Sequence, residues 1–355
     1  MTPGVLARRV ASNAMRLLPV AAYGRLMRRE AIGLCYHVVA DGPVPHVSPL
    51  YPFKTVAQFR GDLLWLKARF RFVSYPELMD ARDAGRPLGP NRVFLSFDDG
   101  YAECFSVVRP MLLELGIPCT FFITTDVIGN RQALAFNQVA LCVTAMKAMD
   151  GERVRPILEE MAVEAGRPFV GPEALSAWIR PALRNPDSPV YATLARLVAL
   201  AGVDVDAFLR ARPYLAAEQV KQMAAEGFSF GGHSRLHWHL GSVAGVERVE
   251  HEIVESCRVA AELSGASRVP FAFPYDGFGV DRGVLADLLR RHPFIGPVFG
   301  TGGVARESDA VLHRMIVDHP PKRPRVPSTL PGVFRDAYLA EALRALGGAS
   351  SAPPG

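Results

Sequence analysis

Val93-Phe94-Leu95-Ser96-Phe97-Asp98-Asp99-Gly100 is the stretch that decides how the rest of this chain is read. Val93 to Phe97 is a short apolar run of the kind that forms a buried strand. Two carboxylates follow at once, and Gly100 lets the chain turn sharply. Two anions at the end of a buried strand are unfavourable unless a cation or proton compensates them. Two readings fit the stretch alone. It is either a functional carboxylate pair or an Asp-Asp-Gly turn in which one Asp caps the following helix.

Working outward, Phe105, Val108, Met111, Leu112 and Leu115 share one helical face, and Gly116 stands where a helix C-terminus wants it. Pro118–Thr124 then reads as a strand, so the region is a βαβ unit with a parallel sheet and right-handed crossover. Upstream, Ala31–Val39 is a first buried strand with His37 near its end. A helix carrying Phe59, Leu63 and Leu66 and a strand over Phe70–Ser74 follow. Tyr75-Pro-Glu-Leu then opens a short helix with proline in its first turn. Residues 130–213 change character: successive helical faces, separated by Pro- and Gly-containing turns, predict a helical insertion with no obvious chemistry of its own. The strand–helix pattern then resumes, with strands over Phe228–Phe230, Val269–Pro274, Phe294–Phe299 and Leu312–Val317. Strands thus end at His37, Asp98–Asp99, His233 and Tyr275. In a parallel α/β barrel or open sheet those ends meet on one face, where active sites lie.

The composition narrows the classes. Of 355 residues 49% are hydrophobic, which suits a large core and argues against global disorder. The net charge is +5, with much of the basic excess in the first 29 residues and around Lys322–Arg325. No aromatic-interleaved basic stripe accompanies it, so no nucleic-acid partner is expected. Residues 1–29 read either as a basic amphipathic helix touching an anionic membrane or as a plain solvated helix. No convincing signal peptide or membrane span is visible, and the five cysteines form no Cys-x-x-Cys pair. The expected location is the cytoplasm or the inner face of the membrane. A Pro-rich segment from 320, a C-terminal helix and a disordered tail close the chain. Oligomeric state is not legible.

His233 and His237 are four apart, so on one helical turn both imidazoles would face one metal. A pair of ordinary surface or core histidines is the alternative, since the chain has nine. Two His and one Asp make a three-ligand set that leaves room for water, and the second Asp is then free to act as general base. The constellation predicts metal-assisted hydrolysis.

Ser96-Phe97-Asp98-Asp99-Gly100, His233-Ser234-Arg235-Leu236-His237 and Phe271-Ala272-Phe273-Pro274-Tyr275 resemble, in order and separation, the first three motifs of the polysaccharide deacetylases. This is the NodB-homology or carbohydrate esterase 4 family, and the resemblance spans roughly 31–318. It implies an α/β fold, a distorted (β/α)7-type barrel with the helical insertion between strands, over a domain of about residues 30–319. It implies Asp98 as general base, and Asp99, His233 and His237 as ligands of a divalent metal, usually zinc. It also implies a backbone N–H at Tyr275 facing the oxyanion, and an acetylated glycan as substrate. An O-acetyl esterase and a non-catalytic glycan binder are the rival readings. Two departures stand out. Ala272 occupies the place of an Arg that would orient the base, and the Leu-x-x-His pattern supplying a general acid is displaced at Leu312-His313-Arg314-Met315. His37, His313 and His319 are therefore all candidates for the acid. Arg314 could orient a carboxylate or lie on the surface, and His239 is a helix-start or groove residue.

Overall fold

In the computed structural model the described residues are 31–89, 91–164, 166, 183–304, 311–318 and 329–346. The basic segment 1–29, His319, Lys322–Arg325 and the tail beyond 346 lie outside them. The strands are β1 (Ala31–Tyr36), β2 (Arg71–Phe72), β3 (Arg92–Phe97), β4 (Thr120–Ile123), β5 (Ser229–Gly232), β6 (Val269–Ala272), β7 (Ile295–Gly300) and β8 (Val311–Ile316). All pair in parallel in the order β1-β8-β7-β6-β5-β4-β3, and β3 pairs back with β1 along its whole length. Seven strands therefore close a barrel surrounded by helices, and the (β/α)7-type expectation holds. The short β2 pairs only with Arg92 and Val93 at the start of β3, leaving Ser96 and Phe97 to β4.

Alternation along each strand sorts the side chains. Ile32, Leu34 and Tyr36, Val93, Leu95 and Phe97, and Phe121 and Ile123 face the outer helices, packing with Phe59, Leu63 and Leu66. Their neighbours point inward: Phe94, Phe122, Ala272 and Phe299 fill the barrel with a small cluster of their own. Phe94 and Phe299 stack there at 5.0 Å. This parity puts Gly33, Cys35 and His37 on the inner side of β1, and Phe94, Ser96 and Asp98 on that of β3. Local signals fix the helix starts. Thr55 with Gln58, and Ser74 with Glu77, form reciprocal capping boxes ahead of the helices Val56–Lys67 and Tyr75–Asp83. The helix expected after Gly100 begins as a π-turn over Cys104–Val108 and becomes α-helical only at Arg109. Pro110 cannot donate to the preceding turn, which widens to accommodate it.

The insertion is helical, with Ala135–Lys147, Gly151–Glu164, Leu194–Leu200 and Val205–Arg210 packed around a second core. It leaves and rejoins the barrel at one point. Asn130 Nδ2 donates to the Tyr214 carbonyl, and the Tyr214 N–H donates back to Asn130 Oδ1. Tyr214 also bridges to Tyr101, directly after the Asp98–Gly100 turn. The helix Leu330–Leu346 covers the outside through Leu330, Phe334 and Tyr338. Among the described residues no helix is long and apolar enough to cross a membrane.

Candidate active site

The site lies where the C-terminal ends of β1, β3, β5, β6 and β8 converge. Asp98 continues the inward parity of β3. Strict alternation would turn Asp99 away, but its backbone has φ 74°, a left-handed conformation that swings the second carboxylate back toward the site. Gly100 follows at φ 84°, and a Cβ there would meet Ile123 and Ile128 at 3.3 Å. The carboxylates therefore share the site through a backbone reversal at Asp99.

His233 enters from the end of β5. Its Nδ1 donates to the Ala272 carbonyl at 2.9 Å, which leaves the Nε2 lone pair facing Asp99. His237 arrives from the loop rather than from a helical turn, and both Ser234 (φ 57°) and His237 (φ 60°) are left-handed. The His237 N–H donates to Ser234 Oγ at 2.8 Å. Asp99 Oδ1 lies 3.1 Å from His237 Nε2 and 3.4 Å from His233 Nε2. All three residues are buried. Those separations are close to the edge of a tetrahedron with arms of about 2.05 Å, roughly 3.3 Å. Asp99 Oδ1 nevertheless receives no well-directed hydrogen bond among the described residues. Three buried donor atoms gathered within 4.8 Å of one another, with no hydrogen bond directed at the carboxylate oxygen, fit a divalent cation. Even without an ion the histidines, chiefly His237, outweigh the effect of burial and hold the Asp99 carboxyl well below the usual range.

Asp98 has a different partner. Arg314, fully buried on β8, donates from Nη1 to Oδ1 at 2.6 Å and from Nη2 to Oδ2 at 2.9 Å. Nη1 also reaches Ser96 Oγ at 2.8 Å, and the guanidinium lies 4.7 Å from the centre of the Phe122 ring. The surface reading of Arg314 is overturned. β8, separated from β3 only by β1, supplies an arginine where Ala272 provides none. Gly33 makes room for it, since a Cβ there would stand 2.6 Å from Arg314 Cγ. Burial works to raise the Asp98 pKa, but Arg314, and after it His233, lower it below the ordinary carboxylate value. The Cys35 thiol, pushed up by burial, donates to Asp98 Oδ2 at 3.2 Å. Cys35, His37 and Asp98 also lie within metal-ligand distance of one another. There Arg314 already takes both carboxylate oxygens, so the Asp99 set is the better match to a cation.

His37 sits at the end of β1. Asp318, two residues past β8, accepts from the His37 backbone N–H at 2.8 Å and lies 3.1 Å from Nδ1. Burial alone would lower the His37 pKa, but Asp318 chiefly, with smaller contributions from Asp99 and Asp98, raises it to about 9. His313 goes elsewhere. It is on the opposite face of β8 from Arg314, with its ring against Gly300 and Gly302, and its Nδ1 accepts the Gly302 N–H. Tyr275 is held at φ 61° with its ring 4.8 Å from His237. His239 caps the short turn Leu240–Ser242 and bonds Asp276 at the rim.

The insertion, expected to carry no chemistry, lines the site. Phe136 packs 4.7 Å from the His237 ring, and the Arg184 guanidinium lies 4.6 Å over Tyr275. The site residues least visible in the sequence are Asp318 and Arg314. The alternation of Met315 and Val317, both outward, places them inside.

Among known proteins, residues 85–165 match the family model described as polysaccharide deacetylase, a span that contains Asp98–Gly100 and ends before His233. Solved structures with this fold include two that cover most of this chain. The Streptococcus pyogenes deacetylase PplD, in complex with acetate, is 14% identical with a TM-score of 0.50, over 84% of this chain and 98% of that one. IcaB from Ammonifex degensii is 17% identical with a TM-score of 0.50, over 87% of this chain and 97% of that one. No curated protein matches the chain in sequence.

Proposed function

We propose that the chain is a polysaccharide deacetylase, a hydrolase acting on carbon–nitrogen bonds other than peptide bonds, and that it removes acetyl groups from N-acetylhexosamine units of a glycan in a metal-dependent reaction. The observation that carries this reading is the division of the carboxylate pair. Asp99 faces His233 and His237, whereas Asp98 is gripped by Arg314. Asp99 and the two histidines would hold the ion, zinc being our choice for a His–His–Asp set. Bound there, a divalent metal supplies Lewis acidity toward the acetyl carbonyl and lowers the pKa of the attacking water.

Asp98 takes the proton of that water as general base. Its bidentate pairing keeps it ionised and aimed. His37, protonated and oriented by Asp318, gives its proton to the leaving amine nitrogen, so His37 is our general acid in preference to His313. The backbone N–H of Tyr275 helps to stabilise the oxyanion. Phe136, Tyr275 and Arg184 line the sugar side of the groove. Five buried free cysteines support placement in a reducing compartment, to be checked by cell fractionation.

The test is acetate release from a panel of N-acetylated and O-acetylated glycans, with and without a chelator. Chelator-sensitive release from the N-acetylated members is expected. Release from the O-acetylated members alone would make the protein an esterase, and no release from any member would favour the binding-protein reading.

A further inference from the structure

Glu252 has no part in the chemistry above, yet it is a carboxylate buried to 2% exposure on the helix Val246–Ser264. Burying a carboxylate is costly unless donors meet it. Here one oxygen, Oε2, accepts the N–H groups of both Arg235 (2.9 Å) and Leu236 (3.2 Å), the two residues between Ser234 and His237. Consecutive backbone N–H groups converging on one acceptor form an anion-binding concavity, which this chain fills with its own side chain.

The other side of the same segment is held too. The Thr125 and Asp126 N–H groups donate to the Ser234 and Arg235 carbonyls, each at 3.2 Å. Asp126 also grips the Arg235 guanidinium, which reaches His251 Nε2 on the same helix. The segment includes two left-handed non-glycine residues, Ser234 and His237, a conformation that L side chains disfavour. Without an acceptor the paired N–H groups would be left unmet, and the loop could relax to an easier conformation that turns His237 away from Asp99. The helix reaches the loop because β5 ends in Gly231 and Gly232. A Cβ on Gly232 would stand 2.7 Å from Ser256 Oγ and 3.0 Å from the Cys257 nitrogen.

We infer that Glu252 is a positioning residue for the metal site: it preorganises the Ser234–His237 loop before any ion binds, and so sets metal affinity without touching the metal. This rests on the proposed ligand role of Asp99, His233 and His237.

The test titrates zinc into metal-free protein against a competing chelator for wild type, Glu252→Ala, Glu252→Gln and His233→Ala. Losing outer-shell support typically costs 10–100-fold in metal affinity. Glu252→Ala should weaken zinc by roughly that factor, while Glu252→Gln, which keeps an acceptor oxygen, should stay within about 3-fold of wild type. Hydrogen exchange on metal-free wild type needs no variant and covers the case of a misfolded one. The Arg235 and Leu236 amides should exchange slowly, in step with the Val246–Ser264 helix. Wild-type affinity in Glu252→Ala, a Gln variant as weak as Ala, or fast exchange at those amides overturns the inference. Failure of the underlying reading looks different. Wild type would then bind no zinc tightly, or His233→Ala would bind it equally well.

Discussion

In the proposed mechanism Asp98 is the residue on which the chemistry turns, and Arg314 favours its ionised form. The carboxyl pKa is depressed in the folded state, so the pair contributes stability above the ordinary value of 3.8 that is lost as pH falls through the lower folded value. Arg314→Ala leaves a buried carboxylate unpaired and should destabilise the protein by about 3–5 kcal/mol in denaturant titration. It should also move the acidic limb of kcat/KM to higher pH, because the base then protonates more readily. In the proposed mechanism the basic limb belongs to His37. Its folded pKa is raised from 6.5 to about 9, so stability from the His37–Asp318 pair is complete below 6.5 and lost as pH rises through about 9. Asp318→Asn should bring the basic limb of kcat/KM down by a unit or more, roughly 1.4 kcal/mol per unit. An unmoved limb would assign the acid to another group. Asp98, Asp99, His233 and His37 were picked out in the sequence because each lies at or just past the end of a run read as a strand, and His237 because it lies four residues from His233. Asp318 was not, and for Arg314 the carboxylate-orienting and surface readings stayed open, because a His-containing motif drew attention to His313, whose neighbour parity points it out of the barrel.

At the scale of elements, parity and close packing place the site. Gly33 on β1 and Arg314 on β8 are paired in register, and the glycine leaves the gap through which the arginine stem passes. Gly33→Ala should cost about 1–3 kcal/mol of stability from overpacking. It should also reduce turnover by pushing the guanidinium off Asp98, while zinc affinity, set on the far side of the Asp pair, stays at the wild-type level. Loss of metal with no loss of turnover would contradict this separation. The strand–helix alternation and the Gly116 helix stop were readable from local patterns, whereas Thr55 went unremarked and Ser74, read as the end of a strand, caps a helix. The left-handed turns at Asp99, Ser234, His237 and Tyr275 were not readable, since none is a glycine and only tertiary contacts hold them.

Across the whole molecule, a closed parallel barrel presents five strand ends on one rim, and the insertion rises beside that rim to wall the groove. The insertion was visible as helical periodicity, but its reach to His237 and Tyr275 was hidden because it depends on how a separate core docks. Arg184→Ala should raise KM for a glycan by about 5-fold, on the order of 1 kcal/mol for a cation–π contact, with kcat little changed. In the proposed mechanism the adjacent carboxylates do different work, and paired measurement of zinc affinity and acetate release in Asp98→Asn and Asp99→Asn separates their roles. Asp98→Asn should bind zinc like wild type and release acetate at least about 100-fold more slowly, as loss of a general base predicts. Asp99→Asn should lose tight zinc binding. Acetate release at the wild-type rate in Asp98→Asn, or full zinc affinity in Asp99→Asn, would contradict the account.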